Sequence, residues 1–413
     1  MSLGRVVVVG GGPAGASTAW QLARAGVDVV VLDRARFPRD KACAEYLNPE
    51  AARLLHAMGA LSLVEAAGAA QLRGMLVRAP CGACIDGRYT AAHGFAGFRD
   101  RGLAIRRTRL DPILLDRARA AGAEVCEGVR VTDLVRDGRG GVTGVVTRGD
   151  DGHARVLRAD LVIGADGLRG VVARRLGLLR HARWPRRLAI VAHFRGAQGI
   201  GESGEMHVER DGFCGLADVG HGESNLALVV PATRARELAG DPAGFLERWV
   251  AARPQLAPRY RTAERVGPVL TTGPFAVRAR RPWAPGVALV GDAADYFDPF
   301  TGEGIYSALR GSELLAPFAL DALRAGARSA HGAAALRAYA RARWRAFRGK
   351  WVVERMIAAV VAHPPLIDRA ARVLSRRTDM ADVLVGVTGD FVPAREVLRP
   401  GYLFALFVQP VRE

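Results

Sequence analysis

Three groups of residues in this 413-residue chain have the types and spacing to hold a nucleotide. The first is Gly10, Gly12 and Gly15, in the order G-x-G-x-x-G, followed by Asp33. Gly10 permits a tight turn, Gly12 lets backbone approach a pyrophosphate, and Gly15 lets a helix pack close to a strand. A helix starting there offers unpaired N–H groups and a positive dipole end to phosphate oxygens. Asp33, eighteen residues after Gly15, can accept hydrogen bonds from ribose hydroxyls. The second group is Asp166 and Gly167, in "LVIGADGLRG". The third runs from Gly291 and Asp292 through Pro299 to Gly302, Gly304 and Ile305. Asp292 can bind a sugar-alcohol hydroxyl, and the two later glycines let backbone approach a flat ring. The helix expected from about Glu303 aims its positive end at that ring, where it suits the negative charge of a reduced flavin.

The elements that must position these groups are legible from periodicity. Residues 5–9 and "VDVVVLD" read as strands buried on both faces, with "AGASTAWQLARAG" as the helix between them. "LVIGADG" and "GVALVGDAAD" repeat the buried-strand pattern far downstream. Between them, residues 186–275 alternate in short runs such as "RLAIVAHFRG" and "NLALVV", expected to form a mostly antiparallel sheet, with one helix in "PAGFLERWVAAR". The expected fold is α/β. A discontinuous Rossmann-like domain spans 1–75, 100–185 and 276–325, a substrate domain spans 76–99 and 186–275, and a helical region spans 326–413. A nicotinamide dehydrogenase usually completes its dinucleotide domain in one stretch. Three separated blocks suit a long cofactor that needs contacts at both ends.

These motifs, in this order, resemble the FAD-dependent oxidoreductases built like para-hydroxybenzoate hydroxylase. "FPRDKACAEYLNPEAARLLHAMG" and "GDAADYFDPFTGEGIYSALRGSELLA" look most like the geranylgeranyl reductase family and related flavin monooxygenases and halogenases. The resemblance implies that Gly10, Gly12, Pro13, Ala14 and Gly15 line the ADP pyrophosphate, and that Asp33 and Arg34 meet the adenosine. It implies FAD contacts for Lys41 and Ala42, for Arg106, and for Val131 through its backbone at the adenine. Asp166 and Gly167 fall in a turn linked to FAD and pyridine-nucleotide contacts. Gly291 and Asp292 would meet the ribityl or pyrophosphate region, and Pro299, Gly302, Gly304 and Ile305 would surround the flavin ring. The sequence departs from the family in four places. Asp33 stands where Glu is usual, Ala44 replaces glycine in "KACA", "GLADV" replaces the reductases' W-x-F-P-like segment, and the halogenases' W-x-W-x-I-P is missing.

The function expected is an FAD enzyme with NAD(P)H as electron donor, acting as a monooxygenase or oxidase on an apolar or aromatic small molecule. The alternatives are reduction of isoprenoid double bonds and a non-redox flavoprotein such as a cyclase. No catalytic residue is assigned. His193, His207 and His221 are open to two readings, general base or hydrogen-bonded sheet histidine. No metal site is expected: Cys81 and Cys84 form the one CxxC, which reads as a hairpin turn. The net charge of +18 could draw nucleic acid, but all except two of the 59 basic residues are arginine, scattered among alanines without a basic stripe, so no nucleic-acid partner is expected. The absence of a signal peptide pattern or a long apolar run points to a cytoplasmic protein. The basic, aromatic stretch from Tyr339 to Trp351 is read as a core lid rather than a membrane-surface helix.

Overall fold

Residues 6–9 are four valines in a row, and valine's branched Cβ favours a strand packed on both faces. In the computed structural model, which describes residues 3–409, Arg5–Val9 lies inside a six-stranded sheet with Val6, Val7 and Val8 fully buried. The outermost residues of the two terminal regions expected above, 1–2 and 410–413, lie outside the described residues. Asp28–Asp33 pairs in parallel with one side of Arg5–Val9 and Leu161–Gly164 with the other. Glu124–Glu127 extends one edge, and Val287–Leu289 with Trp283–Ala284 extends the other. The register matches Val9 with Leu32 and Gly164, and Gly164 with Leu289. Gly10, Asp33, Ala165 and Gly291 therefore emerge side by side at the carboxyl edge of the sheet, where open α/β sheets bind ligands.

A second sheet has seven strands: Glu264–Thr272, Arg187–Arg195, Glu223–Pro231, Gly212–Asp218, Gly204–Glu209, Gly74–Arg78 and Cys84–Arg88, in that spatial order. All its pairings are antiparallel except that of Gly204–Glu209 with Gly74–Arg78. Alternation gives the sheet two faces. Ile190, Ala192, Leu226, Leu228 and Val230 form a core with Phe245 and Trp249 of the helix Pro242–Ala251. The opposite set, including Ala189, Val191, Ala227 and Val229, faces the main cavity. The CxxC lies at the turn between Gly74–Arg78 and Cys84–Arg88, and both thiols are free.

The helix Pro13–Arg24 packs against Arg107–Ala120 and Gly304–Arg324. The C-terminal region is helical: Ala330–Val361, Pro364–Leu374, Thr378–Thr388 and Pro400–Phe407. The long first helix lies with Tyr339 and Phe347 buried, and the Tyr339 hydroxyl donates to Leu289 O at 2.9 Å, fastening it to the six-stranded sheet. Trp344 is turned outward. Among the described residues no helix is long and apolar enough to cross a membrane.

Candidate functional site

The glycines after the first strand are required for different reasons. Gly10 has φ +105°, and a Cβ there would meet Ala165 O at 2.4 Å. A Cβ on Gly15 would come within 1.8 Å of Gly10 O, so only glycine lets the helix close on the strand. Gly12 is unlike both. A Cβ on it would reach only the guanidinium ends of Arg107 and Arg39, at 3.5 and 3.8 Å. Gly12 is the N-cap of Pro13–Arg24 and supplies no side-chain cap, which leaves the first N–H groups of the helix for another acceptor.

A cavity of about 470 Å³ opens at this edge and continues onto the inner face of the seven-stranded sheet. Of the residues expected at the cofactor, Gly10, Gly12, Pro13, Ala14, Asp33, Arg34, Lys41, Ala42, Asp166, Gly167, Asp292, Pro299, Gly302, Gly304 and Ile305 line it. Gly15 and Gly291 are not in the lining. Gly15 packs on Gly10, and a Cβ on Gly291 would meet Ala14 Cβ at 2.8 Å, so both let lining segments approach. Arg106 and Val131 do not line the cavity either. Arg106 is held by Asp40 at 2.8 Å and Glu223 at 3.0 Å, and its neighbour Arg107 is the arginine that reaches the lining. Val131 sits on the strand Arg130–Arg136 of a separate three-stranded antiparallel sheet, paired with Thr147.

Asp33 is nearly buried, and each of its oxygens already accepts a backbone N–H: Oδ2 from Gly11 and Oδ1 from Ala35, both at 2.8 Å. It shapes the loop as well as facing the cavity. Asp292 is pushed up to about 6 by burial, although Lys41 and Arg107 pull it the other way. Desolvation at the cavity wall, and then Arg107, push the Lys41 ammonium down, although its side chain keeps solvent exposure. Burial also raises Asp166, whose Oδ2 accepts from Val172 N while Oδ1 has no hydrogen-bond partner.

The segment 41–45 forms one wall and carries a residue that periodicity could not reveal. Glu45 has φ +61° and is buried. Its carboxylate accepts from Arg107 N at 2.8 Å and Asn225 Nδ2 at 3.1 Å, and lies 2.7 Å from His193 Nε2. His193 is thus a sheet histidine with a partner 148 positions away. His207 is 2.9 Å from Glu205, and His221 contacts Ala67 O. None of the three histidines lines the cavity. Cys43 does line it, and burial raises its thiol pKa, so it stays protonated at neutral pH. Tyr296 lies beside Gly304 and is also raised by burial. Of the lining residues, the motifs mark neither Arg39 nor Arg107. The one local signal was the Arg107–Asp111 pair at i,i+4, a 2.7 Å contact in the structure.

These features fit FAD. Glycine-cradled amides stand at one end and an unpartnered buried carboxylate oxygen at Asp166. Cations alternate with acids along the wall. The glycines Gly302 and Gly304, at the amino end of Gly304–Arg324, stand at the far end. Among the described residues no group of three His, Cys, Asp or Glu could hold a metal.

The FAD binding domain family model matches residues 4–344. The menaquinone reductase of Mycolicibacterium smegmatis is 32% identical over 329 residues, 75% of each chain. A digeranylgeranylglycerophospholipid reductase 2 of Methanothermobacter thermautotrophicus is 29% identical over 337 residues, 78% of this chain and 79% of that one. Among solved structures, a flavoprotein/dehydrogenase from Cytophaga hutchinsonii superposes with a TM-score of 0.82 over 98% of this chain and 96% of that one, at 19% identity. P. aeruginosa PqsL, in complex with 2-aminobenzoylacetate, superposes at 0.65 over 91% and 98%, at 26% identity. With the family model spanning most of its length, the chain belongs to the FAD binding domain family and is an FAD-dependent oxidoreductase.

Proposed function

We propose that the protein reduces a carbon–carbon double bond in a neutral, apolar substrate of isoprenoid type, with NAD(P)H as the electron source. The observation that carries this reading is the floor of the cavity. Ala189, Val191, Met206, Phe213, Gly215, Ala227, Val229 and Phe275 form it, and Thr272 is its one polar side chain. Such a surface matches a hydrocarbon and offers no counter-charge to an acid or amine. The names of the menaquinone and digeranylgeranylglycerophospholipid reductases support the same chemistry.

Bound FAD would supply the two-electron chemistry. The loop Gly10–Ala14 would hold its pyrophosphate, Asp33 and Arg34 its adenosine, and Asp292 its ribityl chain. Gly302 and Gly304 would admit its ring to the amino end of the helix. The Cys43 Sγ–H and Tyr296 Oη–H line the cavity and stay protonated because burial raises both, and either can deliver the proton that double-bond reduction needs at the second carbon.

A second reading is NAD(P)H-dependent oxygenation of an apolar aromatic compound, favoured by the likeness to PqsL, described as a probable FAD-dependent monooxygenase. One experiment separates them. The holoprotein is incubated with NADPH and a menaquinone or a geranylgeranyl lipid, with and without air, and products are weighed by mass spectrometry. A product heavier by two hydrogens without air is expected, and for menaquinone the gain must persist after the quinol is reoxidised to the quinone. A product that gains oxygen, and only in air, overturns the reductase reading in favour of the second. Unchanged lipid in both arms overturns both for these substrates.

A further inference from the structure

Only two lysines occur in the chain, Lys41 on the cavity wall and Lys350 on the helix Ala330–Val361. Everywhere else the chain uses arginine for positive charge. Lys350 is largely buried, its side chain 10% exposed. Its ammonium contacts the Glu303 carboxylate, lies 3.0 Å from Asp390 Oδ2, and stands 4.8 Å from the centre of the Tyr306 ring. An ammonium is a compact charge with three donors that can face three partners at once, whereas a planar guanidinium favours one bidentate partner.

The partners of Lys350 lead to both walls of the cofactor cavity. Glu303 is the N-cap of Gly304–Arg324 and lies between Gly302 and Gly304, which line the cavity, while Glu303 itself is buried behind them. Asp390, at φ +63°, also accepts from Asn48 Nδ2 at 2.8 Å. Asn48 Oδ1 caps the helix Pro49–Ala57 by accepting from Ala51 N, just past the wall segment 41–45. Tyr46 closes the circuit: a Cβ on Gly302 would meet its ring at 2.9 Å. One ammonium therefore ties the ring-facing turn, the 41–48 segment and the C-terminal helices into one unit. The carboxyl groups around it, Glu303, Asp390 and Glu354, all have pKa values raised by burial, and Lys350 lowers each of them.

We infer that Lys350 is a positioning residue for the flavin: acting through Glu303 and Asp390, it fixes the Gly302–Gly304 turn and compensates the negative charge directly behind it. Without the ammonium, the buried carboxyl groups lose their cation, and the turn loses its tether to Asp390. Both changes weaken the site more for reduced flavin, which carries negative charge, than for oxidised flavin.

The test uses the holoprotein and three variants, K350M, K350R and K350M/E303Q/D390N, the last removing the ammonium together with the two carboxylates it contacts. FAD dissociation is followed by recovery of flavin fluorescence, and the midpoint potential by spectroelectrochemical titration. K350M is expected to weaken FAD binding about tenfold, and to weaken reduced FAD about tenfold further. The second factor corresponds to a fall of about 30 mV for a two-electron couple. K350R, which keeps the charge, is expected to restore the potential. If K350M does not fold, the triple variant, which removes both carboxylates in contact with the ammonium, decides: loss of FAD affinity supports the inference, and wild-type affinity overturns it. A K350M protein with lower melting temperature but wild-type affinity and potential overturns it, as does a K350R potential equal to that of K350M.

Discussion

The two ends of the cavity are built on opposite plans. At the Asp33 end, glycines, acids and guanidinium groups crowd a sheet edge where four strands stop in register. At the Gly215 end, small and apolar side chains carpet a sheet face. The first end relies on backbone approach and charge, so a single atom in the wrong place disables it. The second relies on vacant volume, so it tolerates change until that volume is filled. A cofactor that stays and a substrate that comes and goes ask for those two designs respectively.

The largest effect that would test this contrast is Gly15→Val. Its Cβ collides with Gly10 O, a backbone atom that cannot move aside. We expect destabilisation of about 3 kcal/mol or more and no FAD retention, read by thermal melting of the apoprotein. Gly12→Val sharpens the comparison. The site is open apart from two arginine ends, so apoprotein melting should stay put. FAD affinity should drop roughly 100-fold, about 2.7 kcal/mol. Retained tight binding would place the pyrophosphate elsewhere.

Asp292→Asn acts through pH. Burial lifts Asp292 from 3.8 to about 6, so the folded apoprotein holds this proton more firmly than the unfolded chain. Wild-type stability therefore falls as pH rises from 3.8 towards 6, and the penalty is complete above that value. Asparagine carries no such penalty. The variant should equal wild type below pH 4 and exceed it by on the order of 2 kcal/mol at pH 7, while binding FAD less tightly. Equal melting curves across that range would refute the assignment. The smallest effect on the cofactor is expected from Gly215→Leu at the other end. A Cβ there first meets the flexible tip of Met206 at 3.5 Å. FAD binding should stay within about twofold, while KM for a long apolar substrate rises roughly tenfold. Loss of FAD in this variant would mean that the two ends are not separable.

The contrast also explains what could be read before folding. Gly10, Gly12, Gly15 and Asp33 announce themselves because strand, turn and helix follow one another along the chain, and their roles depend on neighbours a few residues away. Asp292, Gly302 and Gly304 are legible for the same reason. Arg106 shows where local reading stops. Two adjacent arginines stand at the start of one helix, and only the three-dimensional partners Asp40, Glu223 and Asp111 decide which of them faces the cavity. The alternation of "RLAIVAHFRG" separates Ala189, Val191 and His193 from Ile190 and Ala192, but nothing in it says which set meets the helix and which the cavity. The bond between His193 and Glu45, and the bridge from Lys350 to Glu303, join residues too distant in sequence for any spacing rule.

The order of strands in the central sheet sets a timetable for synthesis. The strand made first, Arg5–Val9, lies beside Leu161–Gly164, which in turn waits for Val287–Leu289. The Gly302–Gly304 turn comes later still, and its tether at Lys350 last but for Asp390. The residues that line the cavity are thus all present only after most of the chain has been made. A chain that stops before Val287 leaves one edge of Leu161–Gly164 unpaired, an open strand edge of the kind that invites association.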